Sequence, residues 1–224
     1  KAGGSASSNS NGSITSSVSA STTAGFSIVS YSGNSSTATV GHGLGAVPKI
    51  IFVKERTNTS GWYTYQEPRG NGNAMSLEST GAVFSTTAWN STTPTSSVFS
   101  LGNNSAVNAS GDDYIAYCFA EKKGYSKFGS YVGNGNADGT FVYTGFRPAF
   151  TLIKRSTATD NWAIHDNKRP GDNPNDLVLR ANLNSAEYTG STGLDFVSNG
   201  FKARSTDGEF NNGSSTYIYL AFAE

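Results

Sequence analysis

The chain writes one strand pattern twice. GFSIVSYSGN at 25–34 returns as GYSKFGSYVGN at 124–134, with one inserted residue. VPKIIFVKERTNTSGWYTYQ at 47–66 returns as RPAFTLIKRSTATDNWAIHD at 147–166, so that Pro48, Lys54 and Trp62 meet Pro148, Lys154 and Trp162 at one constant offset. AMSLES (74–79) sets against DLVLRA (176–181), and DYIAYCFAE (113–121) against TYIYLAFAE (216–224). Self-similarity at a period this long means each copy is a structural unit in its own right. A unit of about 100 residues is large enough for an independent β-sandwich.

The content of each copy is β. Runs such as GFSIVSY, PKIIFVK, WYTYQ, SVFSL and YIAYCFAE are rich in β-branched and aromatic residues, and SGNSS, RGNGN, GNNS and NASGDD separate them. No window shows the 3.6-residue periodicity of a helix. The expected fold class is all-β: two tandem homologous sandwich-like, jelly-roll-like units, with a single pseudo-twofold β-sandwich shared between the copies as the alternative. The expected organisation is a low-complexity lead-in over 1–24 with one edge strand, a first β repeat over 25–121 and a second over 122–224. Disorder competes for so Ser/Thr/Asn/Gly-rich a chain, but 12% aromatic residues oppose it beyond the lead-in.

The repeat also tests each chemical signal. His42 sits in VGHGLGAVP; the second copy reads VYTGFRP there, keeping the glycine and proline but placing Thr144 opposite the histidine. A turn needs glycine for positive φ and proline for a fixed φ, so His42 reads as a turn residue. His165 stands opposite Tyr65 and is likewise private to one copy. Trp62 and Trp162, kept by both copies, read as core. In YIAYCFAE and YIYLAFAE, alternation predicts one buried and one partly covered face, with Cys118 a small buried residue opposite Ala221. One cysteine excludes a disulfide framework and a multi-cysteine metal site. Sixteen basic residues balance sixteen acidic ones, which gives no electrostatic reason to bind nucleic acid, and no apolar run is long enough to span a membrane. No nucleophile elbow or phosphate loop occurs, so the expectation is a non-enzyme without cofactors.

What remains are binding candidates. Trp89, in the hydroxyl-rich STTAWNSTTP, has no aromatic counterpart and is either an exposed contact or a local loop anchor. Arg69 lies in the RGNGN turn. HDNKRPGDNPND at 165–176 is the most charged loop, and Asp166, Lys168 and Arg169, with Asp172 and Asp176, could line a glycan or ion site. GNGNADG at 133–139 places Asn134, Asn136 and Asp138 at alternate positions like half of a calcium loop, but without the distal glutamate, which favours a hairpin turn.

GFSIVSYSGN, VGHGLGAVPKIIFVK, WNSTTPTSSVFS, AVNASGDDYIAYCFAE, GYSKFGSYVGNG, DGTFVYTGFRPAF and TYIYLAFAE together resemble a domain recurrent in structural proteins of marine bacteriophages, of tail, tail-fibre or appendage type. The resemblance runs from about residue 25 to the end, and the lead-in is also similar to what precedes that domain. It implies a location at the virion surface, other virion proteins as partners, a homo-oligomer, and attachment to a host glycan or outer-membrane protein. Decoration of a capsid or tail without a ligand, and a carbohydrate-binding module of a secreted adhesin or enzyme, are the alternatives. The resemblance carries no catalytic motif onto these residues.

Overall fold

The structure, a computed structural model, describes residues 3–189 and 193–224. It is all-β, with every strand pairing antiparallel. In chain order the strands are β1 (Ser7–Asn9), β2 (Ser16–Ser21), β3 (Phe26–Ser32), β4 (Ala38–Gly41), β5 (Ile50–Glu55), β6 (Trp62–Gln66), β7 (Asn73–Ser76), β8 (Phe84–Ser85), β9 (Val98–Leu101) and β10 (Asp113–Phe119). There follow β11 (Ser126–Val132), β12 (Phe141–Tyr143), β13 (Phe150–Arg155), β14 (Trp162–Asp166), β15 (Leu179–Arg180), β16 (Leu194–Val197), β17 (Gly200–Ala203) and β18 (Thr216–Phe222).

The chain packs as two compact units: Lys1–Ser76 with Val83–Lys122, and Leu77–Ala82 with Lys123–Glu224. Unit 1 holds a sheet in the order β1-β2-β3-β10-β5-β6-β7-β8 and the pair β4-β9. Unit 2 holds β11-β18-β13-β14-β15 and β12-β17-β16. The succession β3-β10-β5-β6-β7 is thus met again as β11-β18-β13-β14-β15. In each unit the smaller sheet closes the core: Val40, Phe99 and Leu101 cluster with Val29, Tyr31, Ile51 and Tyr114, and Val142, Phe196 and Phe201 with Tyr131, Ile153 and Tyr217. Each such large buried side chain contributes about 1.5–3 kcal/mol of hydrophobic stabilisation.

Three side chains make the same bonds in both units. Tyr31 stacks on Tyr114 at 5.3 Å and donates to the Val107 carbonyl; Tyr131 stacks on Tyr217 at 5.0 Å and donates to the Phe210 carbonyl. The Tyr114 hydroxyl donates to the Ser105 carbonyl and accepts from the Ala109 amide, as Tyr217 does with Gly208 and Asn212. Asn108 and Asn211 each accept the amide after a glycine, Asn34 and Asn134, and donate to two carbonyls. Buried hydroxyls and amides are costly unless paired, so these networks fix one loop geometry over each core.

Several expectations are corrected. The lead-in over 1–24 is not a linker with one edge strand: β1 and β2 extend the large sheet, Val18 is buried, and Ile14 bridges Val40 in parallel. Residues 77–82, assigned by sequence to the first repeat, belong to unit 2, where the Thr80 carbonyl accepts from the Asp160 amide and the buried Lys154 ammonium. AMSLES and DLVLRA pair two residues out of step: Met75 lies opposite Thr64, whereas Leu179 lies opposite Ile164, the long loop before β15 having shifted the strand. On β10 the buried face carries Tyr114, Ala116 and Cys118 while Ile115, Tyr117 and Phe119 are half-buried, but on β18 both faces are buried. Trp162 is fully buried; Trp62 is only half-buried, stacked on Tyr117.

Candidate ligand-binding surface

Two of the candidate contact residues, Trp89 and Arg69, lie in unit 1. Trp89 is 2% exposed, packs edge-on against Tyr65 and donates its indole N–H to the Asn73 carbonyl at 3.0 Å. It is the loop anchor, not an exposed contact, because positive φ at Asn90 and Ser91 turns the chain immediately after it. Arg69 ends a single turn of 3-10 helix, Glu67–Arg69, and its carbonyl accepts from Asn73 Nδ2, so one asparagine ties both residues into unit 1. Asp166, Lys168 and Arg169 lie in unit 2. Burial opposes ionisation of Asp166, but the Arg169 guanidinium at 2.5 Å and the Lys168 and Arg169 amides outweigh it and hold its carboxyl below the ordinary value. Arg169 also pairs with Glu187, and Lys168 with Glu224. These charges pair within the loop and with Glu187 and Glu224 of the same unit.

Asn134, Asn136 and Asp138 form successive side-chain turns. Asn134 Oδ1 accepts from the Asn136 amide, Asn136 Oδ1 from the Asp138 amide, and Asn134 Nδ2 donates to the Asp138 carbonyl. Oxygens that would ligate calcium are therefore accepting N–H groups, and the Asp138 carboxylate faces Lys202 Nζ at 2.5 Å, which lowers its pKa. The loop is a run of side-chain turns but not the expected hairpin turn, because it carries the chain from β11 in one sheet to β12 in the other. Both histidines are buried: His42 Nε2 lies 3.1 Å from the Thr95 carbonyl while Nδ1 accepts from the Leu44 amide, which locks the turn, and burial lowers its pKa.

The surface that does gather exposed chemistry is the outer face of β12-β17-β16. The register sets Phe141 beside Lys202 and Asp195, and Tyr143 beside Gly200 and Val197. Val142, Phe201 and Phe196 take the alternate positions and enter the core, so Phe141 and Tyr143 must point outward. They are 46% and 64% exposed, on adjacent outward positions of a single strand. A Cβ on Gly200 would lie 2.1 Å from the Val142 carbonyl oxygen and 2.9 Å from the Phe141 ring, so the glycine lets both β12 and that ring come close. Beside the rings, Arg204 pairs with Asp195 at 3.2 Å and lies 3.8 Å from Asp138. A recess of about 510 Å³ is lined by Ala137, Asn173, Pro174, Asp195 and Arg204. It brings the 133–139 turn and the 165–176 loop, both singled out in the sequence, to one place.

Neither Phe141 nor Tyr143 was a sequence candidate. Their signal was present: FVYTG aligns with TVGHG at 39–43, so two aromatics replace Thr39 and Gly41 on either side of the core valine. A second recess, about 520 Å³ in unit 1, is lined by Tyr63, Gly72, Phe84, Thr86, Thr87, Ser91 and others, but its two rings are packed edge-on against each other.

A family model described as a domain of unknown function, DUF7483, matches residues 1–224. The chain belongs to the DUF7483 family. No curated protein and no solved structure matches it. Among the described residues no helix is long and apolar enough to cross a membrane.

Proposed function

We propose that this DUF7483 chain is a non-catalytic attachment module of a phage virion, acting at the virion surface and binding a host-cell glycan through the outer face of β12-β17-β16. One observation carries the reading: two large aromatic side chains stand exposed together, with guanidinium, ammonium and carboxylate groups at their edge. An exposed apolar pair rimmed by polar groups is the composition of a recognition surface. A pyranose ring offers an apolar C–H face to stack on the rings and hydroxyls to meet Asp195, Lys202 and Arg204. The half-exposed ion pairs there contribute little to stability and can exchange partners with a ligand. The resemblance to virion appendage proteins supplies the setting, in which several copies would raise weak single-site affinity by avidity.

The test is binding of the isolated protein to a panel of bacterial surface polysaccharides. Tyr143→Ala and Phe141→Ala should each weaken binding at least about tenfold, which is ~1.4 kcal/mol, while Lys168→Ala leaves it unchanged. Failure to bind any polysaccharide, or equal binding by the double alanine variant, would refute the assignment and favour a decoration role without a ligand.

A further inference from the structure

The two small sheets differ at one edge. In unit 1 the side of β4 that faces away from β9 is occupied by the chain itself. Ser13 Oγ accepts from the Thr39 amide, Ile14 N donates to the Thr39 carbonyl at 3.0 Å, and Ser16 Oγ donates to the Gly41 carbonyl at 2.8 Å. Asn9 presses on Gly41 so closely that a Cβ there would lie 2.1 Å from its side-chain oxygen. The pairing is parallel, through Ile14 and Val40, and Ile14 packs on the core.

In unit 2 none of the described residues occupies the matching side of β12. The ladder to β17 uses Thr140, Val142 and Thr144: the Ala203 amide donates to the Thr140 carbonyl at 3.1 Å and the Thr144 amide to the Asn199 carbonyl at 3.0 Å. Antiparallel alternation then turns the N–H and C=O of Phe141 and Tyr143 away from β17. Among the described residues nothing bonds to them on that side. The opposite edge of the same sheet is closed, since Asn175 and Leu194 exchange both main-chain bonds. Nor does unit 2 have a lead-in of its own, because only Ala120–Tyr125 separate β10 from β11. An open edge is a template for another strand.

We propose that the free edge of β12 docks an extended, hydroxyl-rich strand of a partner protein, in parallel, as β4 holds residues 13–16 of this chain. The occupant's chemistry follows from that template. A serine or threonine lies beside Phe141 to bond its amide, a β-branched aliphatic residue follows to donate to its carbonyl, and a second hydroxyl two positions on reaches the Tyr143 carbonyl. The site is the backbone edge, not the ring face, so it stands independently of glycan binding.

The probe is a synthetic peptide of residues 10–18, SNGSITSSV, added to the folded full chain at millimolar concentration. Amide hydrogen exchange at Phe141 and Tyr143 should slow. Phe141→Ala keeps the edge N–H and should retain this protection. Phe141→Pro removes that N–H without touching the β17 ladder and should weaken binding at least tenfold. Stacked saccharide, by contrast, is lost in both variants, so the two readings fail separately. Slow exchange at Val142 and Phe201 reports that the proline variant is folded; if it is not, the wild-type exchange pattern alone decides. No protection at Phe141 and Tyr143, or protection kept in a folded Phe141→Pro, overturns the proposal. Peptide-free, concentration-dependent dimerisation that protects these amides would instead give the edge to a second copy and also overturn it.

Discussion

His165 should make unit 2 acid-sensitive. Its ring is fully buried, cross-strand from Thr151 and edge-on to Phe210 at 5.2 Å, and neither nitrogen has a hydrogen-bond partner among the described residues. Burial lowers its pKa to about 3, the Arg169 charge adding to the effect and Asp166 opposing it. The unfolded chain binds a proton near the ordinary value of about 6.5, the folded chain only near 3. Stability from the neutral ring is therefore complete above pH 6.5 and falls as pH drops through the window from 6.5 to 3. Linkage puts the loss at about 2 kcal/mol by pH 5 and about 4 kcal/mol by pH 3, against a total of about 5–15 kcal/mol for a typical domain. His165→Leu keeps an apolar side chain of similar size and removes the proton site. Urea unfolding at pH 7.5 and pH 5.0, read by pulsed hydrogen exchange on β13 and β14 peptides, isolates unit 2. The wild type should lose about 2 kcal/mol more than the variant between the two pH values. Equal losses would refute the reasoning, because they would mean that the buried imidazole takes up its proton as easily as one in water.

Other outcomes follow from the same geometry. Trp89→Ala should cost unit 1 about 3–5 kcal/mol, as expected for a buried tryptophan, measured by urea unfolding; saccharide binding by the still-folded fraction should be unchanged. A fragment of residues 123–224 lacks the Thr80 carbonyl that receives Lys154 and the Asp160 amide; it should melt below unit 2 of the full chain and gain stability when a peptide of residues 74–85 is added. Lys154 itself, with its pKa lowered by burial to about 8, makes unit 2 more stable as pH rises from 8 towards 10.5, and Lys154→Met should abolish that rise in thermal melts.

The repeat made the strand content readable because both copies must bury the same faces. Its paired tyrosines and strand-entry prolines mark positions that the two cores share. What the sequence hid depends on neighbours far along the chain. β2, with only the three-residue β1 outside it, buries a single large apolar side chain, Val18, beside Ser16, so its serine-rich pattern was too weak to read. Trp89 is anchored by Asn73, sixteen residues earlier, and no local pattern announces that bond. Thr80 leaves its own repeat for Lys154, which no alignment of the copies could reveal. For FVY the alternation is plain, but which face is open follows from Gly200 and Lys202 on a strand that pairs only in three dimensions. The 165–176 loop drew notice for its charge, yet Asp166 and Arg169 spend that charge on each other, and the loop's contribution to the recess is Asn173 and Pro174.

Chemical-shift mapping of the labelled chain against a bound bacterial surface polysaccharide bears most directly on the attachment reading. The ring resonances of Phe141 and Tyr143, with the side chains of Lys202 and Arg204, should move together and saturate with one affinity. Saturable shifts confined to other residues, with those two rings unmoved, would contradict it.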